Sequence, residues 1–283
     1  MKGKVKMAQR STLDTQPPLI AVHTTPPPPR TARLPVDLEG IAMIWLREMS
    51  RLWRQRTRLY GAIVRALVWL FALGFGLRRS FVPIAGLSYA QFVFPGVIAM
   101  TIIFSALQSA ISIIWDREFG FLKEVLVAPT PRSTLVLGKC LGGATSSTAQ
   151  AAIMLVFAPL AGVTLTPLHV LAALGAMFIT ALALSALGIV IALRMTDFEN
   201  FGTIQNFITQ PLYLFSGAIF PTRGVPGWLS ALLFLNPLTY GVNAIRGALL
   251  GYNVSEVPRD IVALLGVTIV FLGIALMLAR GEA

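Results

Sequence analysis

Apolar runs of about 20 residues recur along this chain, and that length is what a helix needs to cross a bilayer. The runs are interrupted most sharply between Trp115 and Lys139. Seven charges fall in those 25 residues: Asp116, Arg117, Glu118, Lys123, Glu124, Arg132 and Lys139. Backbone and charge both need polar partners in hydrocarbon, so this stretch is expected in water between two spans. Asp116 has the side chain to cap a short helix there. Leu122, Val125 and Leu126, at i, i+3 and i+4, give that helix an apolar edge. Ala128-Pro129-Thr130-Pro131 ends it. Two readings follow: a solvated loop on the membrane surface, or a docking element for a second protein.

Hydropathy places six spans, at about 59–77, 90–114, 134–160, 168–193, 201–221 and 259–279. Before them come two segments. Residues 1–34 are basic and rich in proline, with Pro26-Pro27-Pro28-Pro29, and read as a disordered tail. Residues 35–58 read as an amphipathic helix. Leu38, Ile41, Trp45, Met49 and Leu52 share one face, and Arg47, Arg51, Arg54 and Arg58 share the other. Such a helix suits the membrane interface. Of the 23 lysines and arginines, 17 fall in the tail, the 35–58 helix, the loops at 116–139 and 194–200, and the C-terminus. Five (Arg78, Arg79, Arg223, Arg246 and Arg259) fall on the other side, and Arg65 lies inside the first span. That asymmetry puts both termini in the cytoplasm. It also explains the net charge of +11 through orientation in a membrane rather than through nucleic acid.

The stretch 222–258 is too broken for a simple span. Pro226, Asn236-Pro237, Asn243 and Arg246 interrupt it, and two short helices re-entering from the external side are expected; an ordinary external loop with an apolar patch is the alternative. Arg65, about two turns into the first span, is expected to reach back to the interface. The third and fourth spans are rich in small residues, among them Gly138, Gly142, Gly143 and Gly188, which suits close helix packing.

Two spans carry polar stripes. Thr101, Ser105, Gln108 and Ser112 recur at helical spacing in the second, and Thr203, Asn206, Gln210 and Tyr213 in the fifth. Polar groups in lipid turn to protein or water. Each stripe alone fits hydrogen bonding between helices as well as it fits a cavity. Together they point to a translocation route lined by Thr101, Ser105, Gln108, Asn206, Gln210 and Tyr213. The sequence holds no phosphate-cradling G-x-x-x-x-G-K-[ST] motif, since Gly138-Lys139-Cys140 lacks both the loop and the hydroxyl. His23, His169 and Cys140 are too scattered to suggest a metal or a disulfide.

Arg117-Glu118-Phe119-Gly120-Phe121-Leu122-Lys123-Glu124, with Leu126 and Ala128-Pro129, resembles the signature of the ABC-2 transporter permeases, in particular the daunorubicin-resistance type. Gly217-Ala218-Ile219-Phe220-Pro221, Asn236-Pro237-Leu238-Thr239-Tyr240 and Phe94-Pro95-Gly96 fit the same family, so the similarity runs from about residue 40 to the C-terminus. The resemblance implies an all-α polytopic fold: six transmembrane helices, an N-terminal interfacial helix, a cytoplasmic coupling helix and external re-entrant helices, with residues 59–283 as the transmembrane domain. It implies a permease of the cell membrane rather than an enzyme, working as a homodimer with two copies of a separate ABC ATPase that carries ATP and Mg. The implied cargo is a drug or lipid, hydrophobic or amphiphilic, moved outward; a lipid-linked polysaccharide or glycan is the alternative. A membrane-embedded lipid-modifying enzyme is the rival from another class, and it would need intramembrane acids or a metal cluster. By the same resemblance Arg117, Glu118, Gly120, Leu122 and Glu124 serve the ATPase contact. A side chain at Gly120 would obstruct close approach there.

Overall fold

The computed structural model describes residues 37–76, 86–118, 131–195, 198–222 and 224–281. The basic tail expected at 1–34 lies outside them, and so does the amphipathic helix expected after Phe119. The described part is mostly helical, its helices joined by turns and short irregular segments. Helix α1 spans Leu38–Arg54 and α2 spans Arg56–Trp69, continuing as a π-helical segment, Leu70–Phe75. Then come α3 (Tyr89–Glu118), α4 (Arg132–Ile153, prolonged as a 3-10 turn to Ala161), α5 (Pro167–Arg194) and α6 (Phe198–Leu214). Two short helices, α7 (Gly227–Leu235) and α8 (Pro237–Leu250), precede α9 (Val257–Gly281).

The local causes are legible. Asp37 caps α1 by accepting the Glu39 N–H at 3.1 Å, and Arg51 and Arg54 sit at the end where the helix dipole favours cations. Thr166 and Pro167 open α5 as cap and first residue. Asn236-Pro237 separates α7 from α8, as the sequence predicts, and the Asn236 side chain caps α8 at the Leu238 N–H, 2.9 Å away. Among the described residues, four helices are long and apolar enough to cross a membrane: α3, α4 with its extension, α5 and α9. A fifth is counted if α1 and α2, bent by 69° at their junction, make one span. Helix α6 is 17 residues long and stops at Leu214, short of the span expected to run to 221, because the chain turns at Gly217, where φ is +71°.

Helix α5 is the hub and packs against α3, α4, α8 and α9. Its buried side is small: Ala173, Ala176, Ala181, Ala183, Ala186 and Gly188. Lipid tails are as apolar as leucine, so helices in a membrane gain little by hiding apolar area from them, and close backbone approach counts for more. The same device joins α1 to α4. A Cβ on Gly138 would lie 2.8 Å from Ile44, and one on Gly142 would lie 2.8 Å from Glu48. The face of α1 that packs on α4 therefore centres on Gly40, Ile44, Trp45 and Glu48. Trp45 donates its indole N–H to Thr145 at 3.1 Å. Leu38, on the same face of α1 by spacing as Trp45, is 77% exposed.

Candidate coupling junction and translocation face

The roots of the α3–α4 connection carry a buried charge network. Lys139, near the start of α4, lies 2.8 Å from Glu48 of α1 and 2.8 Å from Asp116 of α3. Its ammonium also meets the Ser112 hydroxyl at 2.7 Å. Arg47 binds the other Asp116 oxygen at 2.6 Å, and Arg51 stands 3.7 Å from Glu48. Lys139, Glu48 and Asp116 are all buried, whereas Arg47 and Arg51 reach solvent. The expectation that the whole Trp115–Lys139 stretch sits in water is thereby corrected at both ends. Asp116 caps no loop helix; it lies inside α3. Both residues leave water because each charge finds an opposite one, and a buried pair needs that match together with further hydrogen bonds. Arg47 and Arg51 likewise turn from an all-basic outer face toward these acids.

Two more contacts tie the same roots to the rest of the chain. The Asp37 backbone N–H donates to Thr134 at 3.0 Å, fixing the start of α1 to α4. Arg132 donates to the Ala279 carbonyl at 2.7 Å and so caps the last turn of α9. One connection is thus bound at its base to α1, α3, α4 and α9. Arg117 and Glu118 form the final turn of α3 in their backbone. Their side chains, together with Gly120, Leu122 and Glu124, lie outside the described residues.

The structure separates the stripe residues by burial. Thr101 and Ser105 are buried inside the chain; Thr101 donates to the Val97 carbonyl at 3.1 Å, and Ser105 accepts from Gln150 at 2.6 Å. Gln108 is half-buried and borders a cavity of about 270 Å³ between α2, α3 and α4. Asn206 and Gln210 are exposed on α6, with Thr203 and Phe207 beside them. Tyr213 is buried edge-on against Trp69, with ring centroids 5.9 Å apart. Gln150 and Arg65 were not picked out as site residues by spacing. A lone amide in the small-residue run of α4 was the available signal for Gln150.

At the far end of the bundle the chain between α6 and α7 frees several carbonyls, and side chains take them up. Asn236 donates to Leu212 and Phe215 at 2.7 and 2.8 Å, Arg246 to Gly217 at 3.0 Å, and the Tyr89 hydroxyl to Ile219 at 3.1 Å. Arg246, counted above as an external charge, is 2% exposed. Its guanidinium stacks 3.9 Å from the Phe92 ring centroid. Arg246 therefore carries no weight in the charge asymmetry, which still favours the same side.

Residues 39–250 match the family model described as ABC-2 type transporter. The chain belongs to the ABC-2 type transporter family. It is 28% identical over 213 residues to a putative transport permease, ycf38, of Cyanophora paradoxa, covering 74% of this chain and 73% of that one. It is 27% identical over 234 residues to nodulation protein J of Rhizobium leguminosarum bv. trifolii, covering 80% and 89%. It is 27% identical over 243 residues to the inner membrane transport permease YadH of Escherichia coli strain K12, covering 82% and 90%. This ABC-2 protein is a multi-pass membrane permease subunit and not an enzyme. Permeases of this family generally work with an ABC ATPase.

Proposed function

We propose that this permease exports a hydrophobic or amphiphilic compound, a drug or a lipid, driven by two copies of a separate ATPase and working as a homodimer. Six spans with both termini cytoplasmic fit the charge asymmetry, with α2 and α6 as the two that fall short of a full span by length. The observation that carries the reading is the outer face of α6. Asn206 and Gln210 stand exposed beside Phe207, which is 80% exposed. Amides on the outside of an apolar bundle need water or a partner. A cavity where two copies meet supplies both, and its mixed wall suits an amphiphile. Gln108 and the buried Thr101, Ser105 and Tyr213 back this route. Arg117, Glu118, Gly120, Leu122 and Glu124 take the push of the ATPase, and the charge network at the loop roots passes it to α1 and α3. The basic tail at 1–34 rests on the cytoplasmic side.

The test uses the permease reconstituted with its co-purified ATPase. Gln210→Ala should change transport rate or cargo preference while the melting temperature stays within a degree or so, because an exposed side chain carries little packing. A fall in melting temperature with an unchanged cargo profile refutes the pathway. Leu122→Asp should insert normally yet lose most of the co-purifying ATPase, because it places a charge in an apolar contact. Undiminished co-purification and transport refute the coupling role.

A further inference from the structure

The cavity of about 270 Å³ between α2, α3 and α4 holds chemistry that packing does not use. Arg65, nine residues into α2, holds its guanidinium over the Phe104 ring of α3, 4.3 Å from the centroid. Among the described residues no carboxylate or carbonyl accepts from Arg65, and the Phe104 ring is what its guanidinium meets. The Gln108 carboxamide, on the same cavity, likewise has no hydrogen-bond partner among the described residues. Ser105 and Gln150, bonded to each other at 2.6 Å, form the polar floor. A half-buried guanidinium with its donors unused is costly unless water or an anion takes them. Val64 and Val68, near Arg65 on α2, are apolar and 59% and 60% exposed.

We propose that this cavity receives the anionic headgroup of an amphiphile, a phosphate or carboxylate bearing an apolar tail. Arg65 is its charge partner, and a guanidinium fork matches either oxyanion with two parallel bonds. Gln108 supplies a further donor. Phe104 keeps the guanidinium flat against α3 and aimed into the cavity. The volume is below the ~300–1,000 Å³ of sites that enclose a whole drug-sized ligand, so the headgroup enters and the tail stays along Val64 and Val68. Reading this ligand as cargo rests on the export function proposed above; its binding does not.

The experiment is thermal denaturation of the purified full chain in a neutral detergent, titrated with short-chain phosphatidylglycerol, phosphatidylcholine of the same chain length, or inorganic phosphate. Phosphatidylglycerol should raise the melting temperature, and the other two should not. Arg65→Gln should weaken that response at least tenfold, since it removes the charge and the paired bonds of the fork. Arg54→Gln, which removes an exposed arginine of α1, should leave it intact. Gln108→Ala should weaken it a few-fold, and it serves where Arg65→Gln fails to fold. An equal response in Arg65→Gln and wild type overturns the proposal. So does an equal response to phosphatidylcholine, or one to inorganic phosphate as large as to phosphatidylglycerol. These readouts need neither ATP nor the ATPase, so they stand apart from the Gln210→Ala transport test. Stimulated ATP hydrolysis by phosphatidylglycerol in the co-purified complex separates cargo from a resident lipid.

Discussion

Lys139 and Arg246 are both cations held out of solvent, at 5% and 2% exposure, yet they are kept there by different means. Lys139 sits between two carboxylates contributed by two other helices. Arg246 has no acid beside it among the described residues; it meets the Gly217 and Phe92 carbonyls and the face of Phe92. The first arrangement joins three helices through side chains. The second satisfies backbone where a helix has been broken. Side-chain partners can be exchanged by mutation, and backbone partners cannot. The two ends of the molecule should therefore differ in whether a lost cation can be compensated.

The largest effect is expected for Lys139→Met, which removes the buried cation between Glu48 and Asp116 and leaves them only the solvent-reaching Arg51 and Arg47. Breaking a buried pair by removing one partner costs roughly 3–5 kcal/mol. Much of that should return in the triple variant Lys139→Met, Glu48→Gln, Asp116→Asn, because neutral partners no longer need a charge. Thermal denaturation in detergent reads both, and a triple variant no more stable than the single one would break the comparison. Arg246→Met comes next, at roughly 2–4 kcal/mol, from carbonyls left without a donor. No second substitution near Phe92 or Gly217 should restore it. The smallest effect is expected for Glu48→Gln, about 1–2 kcal/mol, because Lys139 keeps Asp116 and gains an amide oxygen. A loss as large as that of Lys139→Met would mean that Glu48, not Asp116, holds the lysine.

The same pairings decide what the sequence could and could not reveal. Hydropathy located a helix at each of the six expected places, and Asn236-Pro237 announced the break between α7 and α8. Length misled at α6, because the apolar run continues past Leu214 while Gly217 turns the backbone; composition reports solubility in lipid, not helicity. The charge rule misled at Asp116 and Lys139. A charge reads locally as a mark of water, but Arg47 and Asp116 are 69 residues apart and Glu48 and Lys139 are 91 apart. Of the pairs made by Asp116 and Lys139, only the one between them falls within one charged stretch, and nothing in the spacing there joins its two ends. Of the stripe residues, spacing found which positions share a helical face, and burial then divided them, since period alone does not say which face meets a neighbour.

Helix α9 has 17% of its apolar window buried within the chain, against 78% for α3. Val262, Ile269, Val270 and Met277 point outward, while Leu264, Thr268 and Ala275 face the bundle. Most of this helix meets no other part of the described chain, and fluid acyl chains conform to almost any apolar outline. Outward positions can therefore exchange one aliphatic residue for another freely, and the permease keeps a wall whose texture suits whatever bilayer surrounds it.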